Sequence, residues 1–107
     1  MRQTLYSFAT KTPGVWFNDI EVQIPKTENW RIISVTVADL TNQACIVTIE
    51  YNRRELAWMN FTMQSHAFVY DSIVPGGGVL RVRSLMTLST YFSGISMLVE
   101  RITVGKG

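Results

Sequence analysis

Between Trp30 and Val104 apolar and polar residues alternate in one short run after another, each closed by turn formers. The pattern is clearest over residues 33 to 51. There Ile33, Val35 and Val37 are separated by Ser34 and Thr36, and Cys45, Val47, Ile49 and Tyr51 by Ile46, Thr48 and Glu50. Side chains two apart share one face of a strand, so this spacing predicts an apolar inner wall and a mostly polar outer one. The polar connection Thr41-Asn42-Gln43 has hairpin length, which predicts that residues 32 to 40 and 44 to 51 are antiparallel neighbours.

The same period recurs elsewhere. Ile20, Val22 and Ile24 share a face before Pro25, which cannot donate to a ladder and ends the run. Leu80 and Val82 face one way and Arg81 and Arg83 the other, while Ile95, Met97 and Val99 form a last apolar row, with Gly94 marking a bulge or tight bend. Residues 56 to 63 carry bulk on both faces, Leu56 and Trp58 against Met59 and Phe61. Such a strand is either buried twice over or meets a partner on its outer side. No helical period emerges. A chain of about eight short strands with regular turn signals fits a sandwich or a small barrel. Residues 1 to 14, ending in the turn cluster Lys11-Thr12-Pro13-Gly14, are expected as an N-terminal arm or edge strand, and residues 15 to 107 as one β-sandwich domain.

Composition sharpens this. Of the 107 residues 47% are hydrophobic and 17% charged, where soluble domains usually carry about a quarter charged. A surface so short of charge needs a covering partner more often than a free monomer does. The net charge of +2 makes no strong field, so nucleic-acid binding by bulk electrostatics is not expected. One cysteine excludes an intrachain disulfide, and Cys45, at an inward position, reads as a small buried hydrophobe. No segment has the length of apolar sequence that spans a membrane, and the N-terminus lacks a signal-peptide core, so synthesis in a reducing cytoplasm is expected.

Chemistry is sparse. His66 is the single histidine and no carboxylates cluster beside it, which leaves neither a metal site nor a hydrolytic base. Pro75-Gly76-Gly77-Gly78 resembles a phosphate loop only superficially, because a strand follows it where a helix is required. Its expected role is a turn needing positive φ. No enzyme activity and no cofactor are expected. The residues best suited to contact a partner are Trp16, Phe17, Trp58, Met59, Tyr91 and Phe92, with Arg53 and Arg54 in one charged turn.

Over residues 24 to 104 the order of features is similar to a compact β-sandwich found among virion accessory proteins of tailed bacteriophages. In that family a loop leads into W-R-I-x-S-V-x-V-x-x-x-T, then a V-T-I strand, then a P-x-G turn opening an L-R-V strand, and a closing V-E-R-I. The matching residues here are Trp30, Arg31, Ile32, Ser34, Val35, Thr41, Val47, Thr48, Ile49, Pro75, Gly77, Leu80, Arg81, Val82, Glu100 and Ile102. The triple glycine departs from the family, which has a polar residue before that strand. The resemblance implies an all-β fold, a single antiparallel β-sandwich of jelly-roll type. It also implies a place in the virion, as a capsid decoration or cement protein bound to the major capsid protein or other virion proteins as a homo-oligomer, trimer or dimer. Attachment modules of tail or fibre are the alternative, including one that stacks host glycans on Trp16, Trp58 or Tyr91.

Overall fold

The computed structural model describes residues 1–38, 44–62 and 66–104. Eight strands follow in order: β1 (Arg2–Lys11), β2 (Trp16–Gln23), β3 (Glu28–Ala38), β4 (Ala44–Tyr51), β5 (Arg54–Thr62), β6 (His66–Val74), β7 (Val79–Met86) and β8 (Tyr91–Thr103). They form two antiparallel four-stranded sheets, ordered β1-β8-β3-β6 and β2-β7-β4-β5. The arrangement is sandwich-like, and no helix occurs among the described residues. Both sheets contribute to one apolar cluster: Trp30, Ile32, Val35 and Val37 from β3 and Ile95, Met97 and Val99 from β8 meet Cys45, Val47 and Ile49 from β4 and Leu80, Val82 and Met86 from β7. Each fully buried aliphatic side chain of this kind stabilises the fold by about 1.5–3 kcal/mol before entropy is counted.

Two expectations are corrected. Strands β3 and β4 are not a hairpin: β3 pairs with β8 and β6, whereas β4 pairs with β5 and β7 in the other sheet. Their apolar rows face the same interior from opposite sides, and a short polar connection suits an arch between sheets as well as a hairpin. The connection itself, residues 39 to 43, lies outside the described residues. Second, Ile33 is not in the inward row. The ladder slips between Ile32 and Ser34, making Ile33 the extra residue against β8, so Ile32 points inward before the slip and Val35 after it.

Gly94 is neither a bulge nor a bend. It sits in regular register opposite Phe8 and Ala38, and a Cβ there would collide with the Phe8 ring. In the triple-glycine turn Gly77 has φ 92°, the left-handed region expected there. Gly76 is needed for a different reason, since its Cβ would strike the backbone carbonyls of Pro25 and Glu28. One end of the core is closed by a polar lid: Arg101 donates to both carboxylate oxygens of Glu28 at 2.8 and 2.9 Å and to Gln3 at 3.1 Å, while its guanidinium stacks 5.5 Å over Trp30. Trp30 Nε1 donates to the same Glu28 carboxylate at 2.8 Å, so the buried indole is satisfied.

Candidate functional site

The outer face of the β2-β7-β4-β5 sheet carries the most chemistry, and its rows follow from the register. Trp16, Leu85, Ile46 and Asn60 lie abreast, then Asn18, Arg83, Thr48 and Trp58, then Glu21, Arg81, Glu50 and Glu55. The face therefore grades from apolar to ionic along the strands. In the ionic row Arg81 pairs with Glu21 at 3.2 Å and with Glu50 at 3.7 Å, and Arg83 reaches Glu50 at 3.4 Å. The Arg83 guanidinium also lies 5.2 Å over the Trp16 ring. Trp58 is 53% exposed and Trp16 37%. Between them the Thr48 hydroxyl and Arg83 Nε are buried with no hydrogen-bond partner among the described residues.

Beyond the ionic row lies an open cleft of about 390 Å³ lined by Glu21, Asn52, Arg53, Val79 and Arg81. Its rim is the β4–β5 hairpin, whose two loop residues Asn52 and Arg53 have φ 51° and 66°. Both central residues at positive φ make a type I′ turn, which matches the twist of the strands but favours Asn-Gly over Asn-Arg. Asn52 is anchored to β7 by accepting from the Val79 amide at 2.9 Å.

On the opposite sheet Tyr6 and Phe8 project outward from β1 with ring centroids 5.6 Å apart, edge to face. With Ala38, Gly94, Ile95 and Ser96 they line a shallow cavity of about 110 Å³. The far end of that sheet is ionic, with Arg31 bridging Asp71 at 2.6 Å and Glu100 at 3.3 Å.

The interior holds a polar cluster. Asp19 is the extra residue in the slip between Asn18 and Ile20, so its carboxylate turns inward beside the alternating apolar row instead of outward. Lys11 Nζ approaches Asp19 Oδ1 at 2.5 Å, Ser84 donates its hydroxyl to Oδ2 at 2.6 Å, and the ammonium lies 5.4 Å over the Phe17 ring. Burial pushes the Asp19 carboxyl above its ordinary range, against the opposing pull of Lys11 and Ser84. The Cys45 thiol, close enough to feel both charges, is pushed up to about 11, chiefly by burial.

Of the expected contact residues, Trp16 and Trp58 are on one outer face, Arg53 and Arg54 are exposed at the β4–β5 hairpin, and Phe17 is half-buried against Lys11. Met59 lies in the buried core cluster, 6% exposed. Side chains of Tyr91, Phe92 and His66 lie outside the described residues. Tyr6 and Phe8 escaped the sequence reading, since only the burial pattern of β1, with Leu5 and Ser7 half-buried, shows that their row faces outward. The Lys11–Asp19 cluster escaped it as well, and nothing in the local pattern signals a bulge at Asp19. Among the described residues no group of three or more His, Cys, Asp or Glu could hold a metal ion. No family model matches the chain, and no curated protein matches it.

Proposed function

We propose that this chain is an assembly subunit, a structural accessory of a tailed-phage virion, acting as a homo-oligomer that decorates and cements the head shell on the major capsid protein. The observation that carries the reading is the placement of exposed aromatics on the outer faces of both sheets, Tyr6 and Phe8 on one and Trp16 and Trp58 on the other. Faces of that kind are suited to docking. The resemblance to phage accessory sandwiches adds support, since its Arg31 and Glu100 are bonded to each other and its Trp30, Ile32, Val35, Leu80 and Val82 are core residues. A jelly roll is part of the proposal. Strands β1 with β8, β2 with β7, β3 with β6 and β4 with β5 pair as in a long hairpin folded over on itself, with β8 beside β3 and β7 beside β4. The test is the copy number of the protein in particles purified from cells that produce it. A number proportional to the capsomers supports shell decoration, a handful moves it to tail or fibre, and absence from particles overturns the reading.

A second reading is favoured by one feature. The Thr48 hydroxyl and Arg83 Nε, without a hydrogen-bond partner among the described residues, lie between the Trp16 and Trp58 strands, the mixture of ring faces and polar groups that an attachment module would use to hold a saccharide. Titration of glycans against the wild type and Trp58→Ala separates the two. A saccharide reader loses binding in the variant, whereas a cement protein binds no sugar in either form.

A further inference from the structure

A fully buried lysine is rare and expensive. The Lys11 side chain is 1% exposed and that of Asp19 0%. Their contact is short. Nζ and Oδ1 are 2.5 Å apart, closer than an ordinary ammonium–carboxylate hydrogen bond. The nitrogen lies against the Phe17 ring, and the Ser84 hydroxyl binds the other carboxylate oxygen.

We propose that Lys11 and Asp19 condense after folding into an intramolecular amide that covalently joins β1 to β2, and so one sheet to the other. Lys11 Nζ forms the new bond to Asp19 Cγ, and the Cγ–Oδ1 bond breaks. The departing oxygen leaves as water with two of the ammonium hydrogens, so the pair –NH3⁺ and –COO⁻ becomes –NH–CO– plus water with no other reactant. Each surrounding group has a part in this step. Burial raises the Asp19 carboxyl toward its neutral form, the electrophilic one. Ser84, donating to Oδ2, stabilises the negative charge that gathers on that oxygen as nitrogen adds. Fixed proximity removes the entropic barrier to a bimolecular condensation, and exclusion of water disfavours the reverse hydrolysis. The slip at Asp19 is what places the carboxyl there, since regular alternation would send it to solvent. A cross-link between edge strands of the two sheets suits a subunit that carries load in an assembly, but it depends only on the interior and stands apart from the functional proposal.

Intact-mass spectrometry of the natively purified full chain tests it. The expected mass is one water below that of the sequence. Tryptic digestion should leave Lys11 uncut, giving a single peptide from Gln3 to Lys26 that also lacks one water. Lys11→Met and Asp19→Ala chains should each show their full sequence mass, and Ser84→Ala should cross-link more slowly. If either removal variant fails to fold, the wild-type digest alone still decides. A wild type at full sequence mass after prolonged folded incubation overturns the proposal, as does a missing water located outside that peptide.

Discussion

At the scale of single residues the interior and the surface obey different electrostatics. Before they condense, Asp19 and Lys11 are both out of water, so removing one partner strands the other. Lys11→Ala should cost about 3–5 kcal/mol in urea unfolding, because an uncompensated carboxylate is left buried. A loss under about 1 kcal/mol would mean that the site relaxes to let water in. Cys45, with its thiol raised to about 11, stays protonated at neutral pH. It should resist iodoacetamide at pH 8 in the native protein and react only once denatured. Glu28 and Asp71 are held below their ordinary values of 4.5 and 3.8, chiefly by hydrogen bonds from Arg101 and Arg31 respectively. The unfolded chain binds more protons there, so these pairs stabilise the fold above those ordinary values, and the gain is lost as pH falls through the lower folded ones. The melting temperature should therefore drop below about pH 4.5, and added salt should shrink the effect. An uncondensed Asp19 works the other way: its raised value makes ionisation oppose folding as pH climbs from 3.8. A Glu28→Gln, Asp71→Asn chain with an unchanged acid limb would show that the surface pairs do not govern it.

At the scale of elements, period-two alternation was readable wherever a strand is regular. The inward rows of β2, β4, β7 and β8 fall where Ile20, Cys45, Leu80 and Ile95 and their neighbours two apart predict. The reading fails at the slips. Ile33 and Asp19 each add a residue to one strand, and a bulge shifts which face the next side chain joins without any change in composition to announce it. The placement of β3 and β4 in different sheets was equally hidden. Which strands pair is decided by contacts far apart in sequence, not by the short connection. The β4–β5 turn offers a direct check at this scale. Arg53 sits at φ 66°, where an L-residue is strained and glycine is not. Arg53→Gly should raise stability by about 1 kcal/mol in thermal or urea unfolding. A destabilised variant would mean that the Arg53 side chain contributes more at the cleft than its backbone costs.

At the scale of the molecule, the two sheets form an elongated body of 49 × 21 × 19 Å whose buried surface is spent on one core. What remains outside includes Tyr6, Phe8, Trp16, Trp58, Ile73 and Leu88, all substantially exposed. The composition indicated such a surplus, since so few charged residues cannot cover the surface. It could not say that the surplus would divide between both sheets, because that depends on which residues each strand turns outward. Strand β1, which carries Tyr6 and Phe8, is an edge of its sheet, a second route to association through strand pairing.

The central claim is that these outer aromatics exist to join subunits, and light scattering on the size-fractionated protein measures it most directly. The account predicts a discrete closed oligomer for the wild type. Tyr6→Ser combined with Trp58→Ser should reduce it to monomer while the β-type circular dichroism and cooperative melting persist. A wild type that stays monomeric at high micromolar concentration, with the double variant indistinguishable from it, would contradict the account.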